Sequence, residues 1–434
     1  MKIKRVHRRQ QGQALVLGLL LAAVGALALT RYFSVGQAVA EKSRLTHTAD
    51  AAAYSGALTQ ARALNMLALL NRTQTAHQIA MAHLLTLGSW AMLGGSQSLK
   101  AGMGNPPVYL IAMLFGPAYG QAYAASLPAL GLDMLAREGT GQLAQAFSRH
   151  ESLVHDMLAG VQQDIVAGLP EARMAAISEV VALQYGDTQT NVAILNDAWP
   201  GYLKAYGPKH WMPSVKEVAG LHPFLAPRNH TERNAWLVQA RCPTRRHELR
   251  RRGQTELNEA GEWESIDTQS YHALRSNRWI GCYFREYEMG WGWIPAERGG
   301  GAAVSYTEQA PDDFSQEDFW RWVLSSTNWN LLSDDGNPLA NSRAYAERAR
   351  WPSRGLPTLW DVPALAESSV GFALRLSRSG AQGLQYTSQA AAEAYFRRPS
   401  KRSDGRAEQA NLFRPYWQAR LSAEPKGTAS GVIP

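Results

Sequence analysis

The chain has 434 residues, 18% of them charged and 14 of them tryptophan, a composition that excludes a disordered protein and has room for two or three folded domains. A net charge of +8 invites a nucleic-acid partner. However, Lys2, Lys4, Arg5, Arg8 and Arg9 stand together in a leader without an acidic neighbour, so the excess says little about phosphate binding, and no nucleic-acid partner is expected.

The leader opens onto an apolar run from Gln11 to Phe33 with no charge between Gln13 and Arg31. Its length suits the roughly 20 residues that a helix needs to cross about 30 Å of hydrocarbon. The residues expected to meet lipid are Ala14, Leu15, Val16, Leu17, Leu19, Leu20, Leu21, Val24, Leu27 and Leu29, with Tyr32 and Phe33 in the interfacial aromatic belt beside a snorkelling Arg31. Basic flanking charge is retained in the cytoplasm, which predicts the N-terminus inside and the remainder outside. Ala26-Leu27-Ala28 and Ala38-Val39-Ala40 resemble signal-peptidase sites, so a cleaved leader is the alternative. The helical pattern running on without a Pro or Gly pair before either site favours an uncleaved anchor.

From Ser34 to about Gly88 the helical pattern meets no proline. Ala38, Leu45, Ala49, Ala52, Ala53 and Gly56 recur on one face, and their small size admits a closely packed partner, either this protein's own helices or another chain. Gln60, Arg62, Asn65, Asn71, Arg72 and Gln74 place the following turns in water. Gly94-Gly95 and Gly102 to Pro107 predict a loop. Val108 to Met134 is apolar enough to be weighed as a second span, but Gly116-Pro117, Pro128 and Gln121 favour a buried or membrane-surface helical pair. Leu143, Phe147, Val154, Met157, Leu158, Val161 and Ile165 mark a helix expected to end at Gly168, and Pro170 to open another carrying Met174, Ile177 and Val181.

After Pro208 short runs such as Tyr271 to Leu274 and Cys282 to Tyr287 suit strands, with hairpin turns expected at Arg252-Gly253 and Ala260-Gly261. Inserted helices are expected over Phe319 to Leu324 and Ala344 to Arg350, a strand over Gly371 to Leu376, a solvated loop over Lys401 to Glu408 and a closing segment from Leu412 to Leu421. Cys242 and Cys282 are the only cysteines, and an oxidising compartment makes them a candidate disulfide. Unpaired thiols and a zinc site with His247 or His272 are the alternatives, the latter lacking closely spaced ligand pairs.

No constellation for catalysis can be named. His247-Glu248 lacks a second histidine, His77 and His83 fall on different helix faces, and His150 with His155 fares no better. Asp312-Asp313 and Asp334-Asp335 read as turns, and the Gly299 to Gly301 run lacks the lysine of a phosphate loop. Trp263, Trp279, Trp291, Trp293, Trp320, Trp322, Trp329, Trp351 and Trp360 could form a platform for sugars or a partner chain, although packing explains them more simply. Neither an enzyme, a cofactor, a metal nor a small-molecule substrate is expected.

The N-terminal sixty residues resemble the TadG-like branch of the Tad (Flp) pilus-assembly proteins. The resemblance rests on the basic leader, Gln11-Gly12-Gln13-Ala14-Leu15-Val16-Leu17, the apolar helix, and the run from Leu45 through Ala49-Asp50-Ala51-Ala52-Ala53 to Ala57. It implies a bacterial inner-membrane protein of the machinery that builds a type IV-like pilus, with a pilin-like N-terminal helix and pilus-assembly or pilin-like partners. A prepilin-type cut after Gly12 would require an acidic residue where Leu17 stands, so the helix is expected to remain an anchor. Some relatives carry a von Willebrand-type metal site; Asp313-Phe314-Ser315-Gln316-Glu317 misses its pattern. The expected fold is α+β: a leader over 1–12, one transmembrane helix over 13–33, a mainly helical module over 34–205 and an α+β periplasmic module over 206–434.

Overall fold

A computed structural model describes residues 11–186, 189–278, 281–296, 338–363, 367–380 and 383–423. The fold mixes helix and strand, with a long apolar N-terminal helix and a strand-rich C-terminal region. It divides into two compact units built from alternating stretches: Met1–Ala68, Ile165–Lys204 and Val362–Pro434 in the first, Leu69–Asp164 and Ala205–Asp361 in the second. The chain therefore passes between units near the expected 205/206 boundary and at three further points.

Helix α1 (Gln11–Met103) runs unbroken for 93 residues and contributes to both units. In the first unit it meets the C-terminal part of α5 (Ala159–Tyr185) and an antiparallel sheet in the order β1-β8-β9-β10. These strands are β1 (Thr190–Asp197), β8 (Ser369–Ser379), β9 (Gln385–Phe396) and β10 (Trp417–Ser422). The core joins Leu45, Ala49, Ala52, Ala53 and Ala57 of α1 to Ile177 and Val181 of α5 and to Phe372, Leu374, Leu376 and Ala392 of the sheet. β1 lies within the stretch expected to be mainly helical. Its inward and outward residues alternate and its register follows β8, so strand pairing decides its conformation.

Polar side chains of α1 expected in water are instead partly interior. Gln60 is fully buried and donates to the Val370 carbonyl at 2.8 Å, and Asn65 both donates to the Trp417 carbonyl and accepts from its amide at 2.9 Å. Each satisfies sheet backbone that the helix would otherwise cover. Arg173 of α5 donates to Gln60 and Asp197 and lies over the Phe372 ring.

The second unit holds a sheet in the order β3-β4-β5-β6. Its strands are β3 (His230–Arg233), β4 (Glu248–Leu257), β5 (Trp263–Asn277) and β6 (Gly281–Ile294). A short pair, β2 (Lys204–Tyr206) with β7 (Leu359–Asp361), begins where the chain enters this unit. Its helices are the later turns of α1, α2 (Val108–Phe115), α3 (Pro117–Ala124), α4 (Gln142–Ser152), α6 (Pro208–Ala219) and α7 (Pro338–Ala346). α2 and α3, eight residues each, are too short to span a bilayer. Ile111, Leu114, Phe115 and Tyr123 pack instead with Leu249, Tyr271, Ala273 and Met289 of the sheet, so Val108 onward is the buried helical pair.

Three expected breaks are corrected. Gly94-Gly95 lies inside α1, where a side chain on Gly95 would strike Asp133, so the glycines serve close packing. Gly168 and Pro170 lie inside α5, which joins α4 through a π-helical stretch, Leu153–Leu158. Pro170 cannot bond the Val166 carbonyl, and the Trp199 indole N–H donates to that oxygen at 3.3 Å. Gly253 is not a turn but a β4 residue, where a Cβ would fall 2.2 Å from the Asp267 carboxylate. Ala260-Gly261 does form the β4–β5 turn, with Gly261 at φ +84°.

The segment expected as the helix Phe319 to Leu324 lies outside the described residues. So do the leader cations Lys2, Lys4, Arg5, Arg8 and Arg9, together with Gly299 to Gly301, Asp312 to Glu317 and Asp334-Asp335. Trp279, Trp320, Trp322 and Trp329 are likewise outside them.

Candidate membrane anchor and the residues behind it

The first half of α1 contains one stretch long and apolar enough to cross a membrane, and none of that window is covered by the rest of the chain. From Leu15 to Phe33 every large apolar side chain is at least 56% exposed: Leu15, Val16, Leu17, Leu19, Leu20, Leu21, Val24, Leu27, Leu29, Tyr32 and Phe33. Ala14 is exposed with them. Keeping such side chains in water forgoes about 1.5–3 kcal/mol for each large one, so the stretch calls for an apolar surrounding. Thr30 donates to the Leu27 carbonyl at 2.9 Å and Ser34 to the Thr30 carbonyl at 2.8 Å, so their hydroxyls are satisfied within the helix, as hydrocarbon requires.

Exposed apolar side chains continue through Val35 and Val39, and the helix becomes covered from Leu45 onward. Ala49, Ala52 and Ala53 have no exposed surface. A Cβ on Gly56 would lie 2.7 Å from Phe372 Cζ and 3.1 Å from Ile177 Cδ1. The four residues therefore pack on this chain's own helix and sheet and offer no free face to another protein.

Cys242 and Cys282 are bonded, with their Cα atoms 6.0 Å apart, and the bridge joins the loop before β4 to the start of β6. Beside it Leu274 and Phe284 close a small core. The described tryptophans suggested as a platform are mostly interior: Trp263, Trp291, Trp293 and Trp351 are buried and Trp360 is half-buried. Trp291 and Trp293 share one face of β6 and pack on Ala344 of α7, while Gly290 and Gly292 alternate with them. A Cβ on Gly292 would fall 2.2 Å from the Ser89 carbonyl oxygen, so these glycines let α1 lie against the strand backbone.

Charged pairs in the strands produce a buried polar field that spacing alone did not reveal. The register aligns Glu248, His272 and Glu286 across β4, β5 and β6, and places Arg250 opposite Ser270 and Ser270 opposite Glu288. All six are buried. Glu286 accepts from the Leu339 amide at 2.7 Å in the first turn of α7, and burial pushes its carboxyl up to about 7. Glu288 pairs with Lys100 of α1 and with Arg343 of α7, and burial raises its carboxyl as well. On the neighbouring stretch, Asp267 accepts from Arg228 at 2.8 and 3.0 Å, from Arg251 at 3.2 Å and from Ser89 at 2.7 Å. The signal was present as charges at i and i+2 in Glu248/Arg250 and Glu286/Glu288, which a strand places on one face.

Histidines separated in sequence also meet. His77 Nδ1 and His150 Nδ1 lie 2.7 Å apart, and burial depresses both rings, helped at His77 by the charge of His150. His247 accepts from the Leu274 amide at 2.9 Å, with burial lowering it to about 4. His83 lies against Phe224 with the rings tilted by 37°, and His155 bonds the Gly355 carbonyl. Among the described residues no three His, Cys, Asp or Glu side chains form a metal-binding group. A cavity of about 460 Å³ in the second unit is lined by Ser96, Asp133, Arg137, Trp291, Glu347 and Arg348. Its cations and carboxylates are mixed, and Glu347 already accepts from the Trp291 indole.

In comparisons with known proteins the chain matches no family model, no curated protein and no solved structure.

Proposed function

We propose that this chain is a membrane-anchored accessory protein of Tad-type pilus assembly or secretion, acting through protein contacts and without catalysis. The observation that carries the reading is the uncovered apolar half of α1, which continues without a break into the helix that organises both folded units. Such continuity couples position in the bilayer to the domains, as an assembly scaffold requires. In this reading Lys2, Lys4, Arg5, Arg8 and Arg9 hold the N-terminus in the cytoplasm, and the two units lie in the periplasm of a bacterial inner membrane. The bonded Cys242 and Cys282 are consistent with that oxidising side. The TadG-like leader and Ala49 to Ala53 run supply the link to pilus assembly.

Since the small-residue stripe is enclosed, partners would have to meet other surfaces. In-membrane cross-linking of the tagged full-length chain followed by mass spectrometry tests the reading. Recovery of pilin-like proteins or of the secretion machinery's membrane components is expected. Recovery of the chain alone, from cells that produce such pili, would contradict it.

A further inference from the structure

The end of the first unit that points back along α1 toward the apolar span carries a second set of lipid-compatible groups. Ala14 to Phe33 rises about 29 Å at 1.5 Å per residue, enough to fill the hydrocarbon layer, and headgroups extend it by roughly 5–7 Å on each side. Lys42 lies about 14 Å beyond Phe33 on the same helix. Its ammonium bonds the Thr387 carbonyl of β9, while one residue later Ser388 bonds Thr46. Farther from the span, Gly56 meets Phe372 and Gln60 meets Val370. β8 therefore descends toward the apolar span and β9 climbs away from it, which leaves Gly380 and Leu384, described residues flanking their turn, nearest the lipid.

Leu384 sits at that turn, half exposed, with its carbonyl held by the Gly380 amide at 2.8 Å. Three steps of extended backbone separate it from Thr387, which brings it up to about 10 Å nearer the bilayer than Lys42, at the level of the headgroups. The same end carries Lys42, Arg44 and Arg378. The guanidinium groups of Arg44 and Arg378 both lie over the Tyr185 ring, 4.8 and 4.5 Å from its centroid, at the C-terminus of α5. On the adjoining turn of α1 the carboxylate is Glu41, and among the described residues these three cations outnumber it.

We propose that this end of the first unit is a second membrane contact, with Leu384 entering the headgroup layer and Lys42, Arg44 and Arg378, which stand about one Debye length behind it, attracting anionic lipid through space. The proposal rests on the reading of Ala14 to Phe33 as a transmembrane anchor. It makes the unit a base seated on the bilayer instead of a body swinging at the end of a helix.

The test uses the full-length chain in vesicles of phosphatidylcholine and phosphatidylglycerol. An environment-sensitive fluorophore is placed on a single new cysteine at Leu384→Cys, Leu21→Cys or Gln418→Cys, the native cysteines being bonded to each other. Gln418 lies in β10 beside Trp417, which meets Asn65 at the far end of the unit. Quenching at 384 by a headgroup spin label, with a blue-shifted emission, and none at 418 is the expected result. Acyl-chain quenching at 21 with position 384 as unquenched as 418 would overturn the second contact and leave the anchor standing. No quenching at 21 would remove the anchor and this proposal with it. Replacing the anionic lipid by phosphatidylcholine alone should weaken quenching at 384; an unchanged signal would overturn the role given to the three cations.

Discussion

A carboxyl buried between His272 and the first turn of α7 ties the second unit to pH. Glu286 is raised from its ordinary 4.5 to about 7, first by burial, so the folded chain holds this proton more tightly than the unfolded one. Its contribution to stability is therefore complete below about pH 4.5 and is lost as pH rises through about 7. Glu286→Gln removes that dependence. Melting temperatures of the variant relative to the parent should rise between about pH 4 and pH 8, and an equal gap at both would contradict the assignment. Gly56 gives a second residue-scale test. Because Phe372 and Ile177 already occupy the space a side chain would take, Gly56→Leu should destabilise by about 1–3 kcal/mol or more, read by thermal unfolding in detergent. Parent-like unfolding with loss of partner recovery would instead return the stripe to an intermolecular role.

At the scale of elements, the Gly290-Trp291-Gly292-Trp293 run shows how one strand serves two layers. The indoles pack on α7 and the glycines admit α1. Gly292→Ala should cost about 1–3 kcal/mol, since the atom its Cβ meets is the Ser89 carbonyl oxygen in mid-helix and cannot swing away. Unchanged denaturant midpoints would contradict this packing. The alternation of Trp291 and Trp293 was legible as a strand because its period is two. Gly94-Gly95, Gly168 and Pro170 were misread because local propensity ends helices there, whereas tertiary contacts hold them: Asp133 fits against Gly95, and Trp199 satisfies the carbonyl that Pro170 leaves free. The Glu248–His272–Glu286 row was invisible because it depends on register between strands up to about forty residues apart, which single-strand patterns do not specify.

At the scale of the molecule, the apolar span was the most legible feature because hydrocarbon thickness imposes length and composition together. The disulfide was legible for a simpler reason, as two cysteines allow one pairing. The alternation of the two units along the chain was not legible, since α1 and α5 each contribute to both. The account depends most on Ala14 to Phe33 remaining in the bilayer as part of the mature chain. Intact-mass measurement of the protein from native membranes, after an alkaline carbonate wash, tests this directly. A pelleted chain whose mass includes the residues from Ala14 to Phe33 is the expected result. A carbonate-soluble species, or one beginning at Leu29 or Glu41, would contradict it.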